Sequence, residues 1–186
     1  QAGSAAVYWI VGAIVVIAII LIAIAASRRA RSAQLQRRFG PEYERTVEAT
    51  GDRSRAERDL AQRQERVRNL HIVELPAGAR DRYAEEWRTI QSRFVDDPKG
   101  ALGEADRLVS NVMRDRGYPM DDFEQQIADL SPDHPAVVEN YRAAHAVAEQ
   151  NESGKATTED LRQAMVHYRT LFEDLLGTNG RSSNPA

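Results

Sequence analysis

The chain has 186 residues, 42% of them apolar and 28% charged, with a formal net charge of −3. Residues 1–40 hold five arginines and no acid, while residues 41–186 hold the remaining 20 bases against 28 acids, a balance of −8. That acidic part disfavours nucleic-acid binding, because phosphate contact needs positive surface. The absence of cysteine excludes a disulfide framework, a thiolate metal site and a cysteine nucleophile.

Residues 1–4 are a short N-terminus, followed by an apolar segment over 5–27. Its central run, "AAVYWIVGAIVVIAIILIAIAA" from Ala5 to Ala26, has 22 residues without charge or proline. As a helix it is about 33 Å long, which matches the hydrocarbon core of a bilayer. A cleaved leader opens with basic residues and has a shorter apolar stretch, so the pattern predicts a permanent single-pass transmembrane helix.

The basic segment 28–40 follows, with Arg28, Arg29, Arg31, Arg37 and Arg38. Arginine beside a span resists translocation, so the N-terminus is expected outside and the rest of the chain in the cytoplasm of a bacterial inner membrane. Counting runs from Gln1 onward. Tyr8 and Trp9 suit the outer interfacial belt. Recognition of anionic lipid is a further reading of the arginine cluster, set against that of a topology determinant. The span has no GxxxG pattern, no ionisable residue and no histidine or methionine to ligate a pigment metal.

Gly40 and Pro41 break the helix and restart it. Residues 41–70 are rich in charge, with a thin apolar set at Tyr43, Val47, Ala56, Leu60, Val67 and Leu70, and read as a solvated or loosely docked helical stalk. Gly51 is its weak point, and Asp59 with Arg63 a supporting pair four residues apart.

Residues 71–177 read as a helical bundle. "HIVELPAG" is an extended connector up to Pro76. Tyr83, Trp87, Ile90 and Phe94 then recur at spacings of four, three and four, which puts four large side chains on one helix face. Asp97 and Pro98 open a second helix as cap and first residue; its stripe includes Leu108 and Val112, and Gly117 ends it. A shorter helix carries Phe123, Ile127 and Leu130, and the next carries Val138, Tyr141 and Ala144. Thr157 and Asp160 head the last helix, where Met165, Tyr168 and Phe172 belong to its core stripe. Residues 178–186 are expected to be a disordered tail.

These elements predict an all-α protein: a transmembrane helix, a charged helical stalk and a bundle of four to five helices. The stretches "RYAEEWRTIQSRFVDDPKGALGEADRLVSNVMRDRGYP", "DHPAVVENYRAAHAVA" and "TTEDLRQAMVHYRTLFEDLL" resemble a family of uncharacterised bacterial membrane-anchored helical proteins, some of them labelled secreted. The resemblance covers roughly residues 79–176 and implies the fold and a bacterial source. It transfers no activity and no catalytic residue.

His71, His134, His145 and His167 lack the spacing of a metal site, and the pairs Asp96/Asp97 and Asp121/Asp122 sit at helix starts, where carboxylates cap. Phosphate-binding loops and the nucleophile-elbow pattern are absent from the sequence. An enzyme is therefore not expected, nor is a cofactor, a catalytic residue or an identifiable small-molecule substrate. The expected function is that of an accessory or scaffold subunit of a bacterial respiratory, photosynthetic or secretion complex, with membrane lipid and other subunits as partners. The alternative is a ligand-sensing or regulatory domain with a cavity lined by Trp87, Tyr141, Tyr168 and Phe172.

Overall fold

The computed structural model describes the backbone of residues 2–177 and the side chains of residues 16–177. Eight helices occupy them: α1 (Ala2–Phe39), α2 (Pro41–Thr50), α3 (Arg53–Asn69), α4 (Ala77–Arg93), α5 (Pro98–Asp115), α6 (Phe123–Leu130), α7 (Val138–Glu152) and α8 (Thr158–Leu175). There is no strand among the described residues, so the fold is all-α, with α4 to α8 forming the bundle. The expected tail, residues 178–186, lies outside them.

α1 continues without a break from the apolar segment through the arginine cluster. Among the described residues no helix is long and apolar enough to cross a membrane. The span expected from the sequence begins at Ala5, so its residues 5–15, and the side chains of Tyr8 and Trp9, lie outside the described side chains.

Local chemistry explains most helix ends. Asp97 and Asp122 each accept the backbone N–H three residues on, from Gly100 at 3.0 Å and Gln125 at 2.9 Å, and Asp52 caps α3 in the same way. Thr157 and Asp160 bond reciprocally as a capping box. Gly40 and Gly51 take positive φ at the ends of α1 and α2.

Segment 41–70 departs from the expected stalk. It bends at Gly51 into two helices, and Gly40 turns α2 back so that Gln36 donates to Glu44 at 3.0 Å. Leu35, Phe39, Tyr43 and Leu60 form a small buried core with Val47 packed on it. Its apolar stripe is too thin for one rod but sufficient for a hairpin that shares residues with the end of α1.

The larger core joins α4 to α8 around α5 and α8, with Leu102, Leu108, Val112, Leu130, Leu161 and Leu171 all essentially inaccessible. Of the ten expected core residues, Tyr83, Trp87, Ile90, Leu108, Val112, Tyr141, Met165, Tyr168 and Phe172 are buried. Phe94 is only partly buried: it follows the last turn of α4 and packs against the rim.

Gly117 has φ +93, and a Cβ there would press against the carbonyl oxygen of His71. The contact is part of the seam between connector and bundle, which Val73 extends by donating to the Arg116 carbonyl at 2.8 Å. Gly117→Ala is expected to cost about 1–3 kcal/mol, from backbone strain and the steric clash, measurable as a lower urea midpoint.

Burial keeps the bundle's tyrosines neutral. Burial first, then the hydrogen bond Tyr83 donates to Asp115, pushes its hydroxyl up to about 12, and burial pushes Tyr118 to about 12. Tyr141 and Tyr168 are raised further, chiefly by burial. An unfolded tyrosine ionises near about 10. The unfolded chain therefore releases these protons first, and stability falls as pH rises from about 10 towards 12. Circular dichroism is expected to show helix loss in that window, with tyrosinate absorbance appearing alongside it rather than before it.

Candidate interaction surface at the neck

The two apolar cores share no residue, and charged groups join them. Two acids lie buried at the junction: Glu42 on α2, 2% exposed, and Asp129 on α6, 1% exposed. Glu42 Oε1 accepts from Arg63 on α3 and from Arg142 on α7, both at 3.0 Å. Asp129 accepts from Arg66 Nε at 2.8 Å and from Gln125 at 2.9 Å, and Arg66 also reaches Asp121 at 2.8 Å. The hydrogen bond to Asp129, reinforced by its charge, holds the Arg66 guanidinium above its usual range. At the edge, Arg38 meets Asp133 at 3.0 Å and Arg45 meets Glu139 at 3.3 Å.

The expected basic residues therefore divide into groups. Arg38, expected to orient an anchor, instead bonds the turn after α6, also donating to the Pro132 carbonyl at 3.2 Å. Arg37 is exposed. Arg28, Arg29 and Arg31 line an open groove with Arg53 and Arg58 of α3. Arg63 does bond Asp59, as its spacing predicts, but it also holds Glu42, 21 positions away, which no local pattern signals. Of the second acidic pair, Asp122 caps α6 while Asp121 receives Arg66.

The four aromatics expected around a cavity fall into two pairs. Trp87 stacks on Phe172 with ring centroids 4.9 Å apart, beside an open groove of about 410 Å³ between α4 and α8. Tyr141 and Tyr168 are buried edge-to-face at 6.4 Å, with their hydroxyls donated to Gln126 and Asp106.

Among the described residues no group of three or more His, Cys, Asp or Glu side chains is placed to hold a metal ion. His134 pairs through Nδ1 with Asp174, and its Nε2 faces Arg116 at 3.3 Å. A guanidinium only donates, so Nε2 is the acceptor and Nδ1 carries the hydrogen. Both ring nitrogens thus have a partner within the protein. His145 stacks on Phe123 at 3.7 Å, and His167 pairs with Asn140 at 2.7 Å. His71 lies in the connector.

Compared with protein-family models, curated proteins and solved structures, the chain matches none, so the resemblance read from its sequence leads to no family assignment.

Removing one partner from a buried ion pair leaves the others dehydrated and unpaired, at about 3–5 kcal/mol. Glu42→Ala is thus expected to speed amide exchange in α2 and α3 by more than about 100-fold, while the central amides of α5 and α8 keep their protection. Hydrogen exchange of the full chain in detergent measures both.

Proposed function

We propose that the chain is a single-pass membrane protein of the bacterial inner membrane whose helical bundle acts as an accessory or scaffold subunit of a larger membrane complex. The N-terminus lies outside and the bundle in the cytoplasm. One observation carries the anchor: Val16, Ile17, Ile19, Ile20, Leu21, Ile22 and Ile24 are all exposed, Ile22 by 68%. At about 100° per residue these positions point in every direction around α1, so no single apolar face exists for a neighbouring helix to cover. Apolar surface of this extent is unfavourable in water and is satisfied by lipid. The charge-free sequence from Ala5 supplies the length, and the arginines from Arg28 supply the orientation.

The scaffold role is supported by the hydrogen-bonded join between α1, the hairpin and the bundle. This reading assigns no catalytic residue and no cofactor. A ligand-sensing role draws on a different observation: Trp87 Nε1 is buried without a hydrogen-bond partner, beside the groove between α4 and α8.

In fractionated cells the full chain is expected to resist alkaline carbonate, and a chain starting at Ser27 to appear in the soluble fraction. A C-terminal tag should be protected from protease added to intact cells and digested once the membrane is opened. Digestion of the tag in intact cells would reverse the orientation. Recovery from mild detergent only as a lone monomer counts against the scaffold role.

A further inference from the structure

α1 is unbroken beyond Ala26, so position along it converts to depth. At about 1.5 Å per residue, Arg28 lies about 3 Å and Ser32 about 9 Å past the end of the apolar run. The headgroup layer on one side of a bilayer is about 5–8 Å thick. Ser32 donates to Glu57 Oε1 at 2.6 Å, which brings the second turn of α3 to the outer edge of the headgroup layer, while Arg28, Arg29 and Arg31 lie within it or at its edge. The far end of α3 reaches the bundle through Arg66, so its N-terminal end points at the membrane.

Between these helices runs the groove lined by Arg28, Arg29, Arg31, Arg53 and Arg58, about 580 Å³ in volume. Its one acid is Glu57, so the lining carries five positive charges less one, or +4. Glu57 is already committed. Burial opposes its charge, but hydrogen bonds from Ser32, Tyr43 and Arg53 outweigh that and hold it below the usual carboxylate range. Among the described residues the side chains of Arg28, Arg29, Arg31 and Arg58 make no hydrogen bond or ion pair, and the charge of Arg58 lowers the pKa of Asp52. Four unpaired guanidinium groups around one concavity repel one another and lack a counter-anion. Their forked donors match the oxygens of a phosphate.

We propose that this groove binds the phosphate of an anionic phospholipid from the membrane that holds α1, a proposal that rests on the anchor reading above. Lipid is favoured over a soluble phosphate by continuity: the exposed apolar surface of Val16 to Ile24 leads along α1 towards the arginines. A headgroup seated there lets its acyl chains lie along that surface, whereas a free phosphate uses only the basic half.

The test is the full chain in nanodiscs of phosphatidylcholine with a minor share of phosphatidylglycerol, read by native mass spectrometry as the ratio of the two lipids retained. The wild type is expected to enrich phosphatidylglycerol. The Arg58 side chain is exposed, makes no hydrogen bond or ion pair and lies outside the arginine cluster at 28–38, so Arg58→Glu is expected to leave fold and insertion intact. It is expected to lower the enrichment roughly 25-fold, two elementary charges at about fivefold each, and Arg58→Gln about fivefold. An inserted chain that retains both lipids equally, or whose enrichment ignores both substitutions, overturns the site and leaves the anchor standing. Displacement of phosphatidylglycerol by inorganic phosphate overturns the choice of lipid. A chain that fails to stay in the disc removes anchor and site together.

Discussion

The arrangement of this molecule depends on two buried carboxylates and the arginines that hold them. Dehydrating a carboxylate costs several kcal/mol, and only close, well-directed donors offset that. Glu42 receives donors from two different helices, and Asp129 receives a guanidinium and an amide. Because the small core at the end of α1 and the large core of α4 to α8 have no residue in common, these contacts set how one sits on the other. An apolar interface tolerates sliding, whereas a buried ion pair penalises every register but its own. Here the ionic neck fixes geometry more than it adds net stability.

Local pattern reached a good part of this fold and then ran out for a definable reason. Within the stripes of α5 and α8 successive buried residues lie no more than four positions apart, and the caps Asp97, Thr157 and Asp160 sit at the starts of those helices, so spacing alone places them. The hairpin of α2 and α3 was less legible because its core comes from three separate segments: Leu35 and Phe39, Tyr43 and Val47, then Leu60. No window along the chain contains all of them. The reading of residues 28–40 as basic was correct in charge but overlooked Leu35 and Phe39, which are apolar residues on the inner side of the same helix.

The neck residues were harder still. Nothing in composition separates Glu42 from the exposed Glu44 two positions on, yet one is buried under two arginines and the other meets Gln36 at the surface. Asp121 and Asp122 likewise look equivalent and act differently, one as an ion-pair partner and one as a cap. Pairs separated by 21, 63 or 100 positions leave no trace in a single sequence. The use of arginine rather than lysine matters at such places, since a planar fork reaches two oxygens or two acids at once, as Arg66 does.

The arginines of this chain thus act in two settings with different physics. Arg63 and Arg142 are paired and largely sheltered, so salt screens them weakly, while Arg66 is exposed but pairs with the buried Asp129. Arg28, Arg29 and Arg31 are exposed and unpaired, so their effect depends on whatever anion lies nearby. Arg63 and Arg66 belong to the hairpin and Arg28, Arg29 and Arg31 to α1, while Arg142 reaches Glu42 from α7 of the bundle; the first break in the helix after the apolar segment is Gly40. The end of α1 and the small core are therefore one packed unit, and the ionic neck joins that unit to the bundle. A loose stalk would have left α1 and the bundle independent; the hairpin joins them.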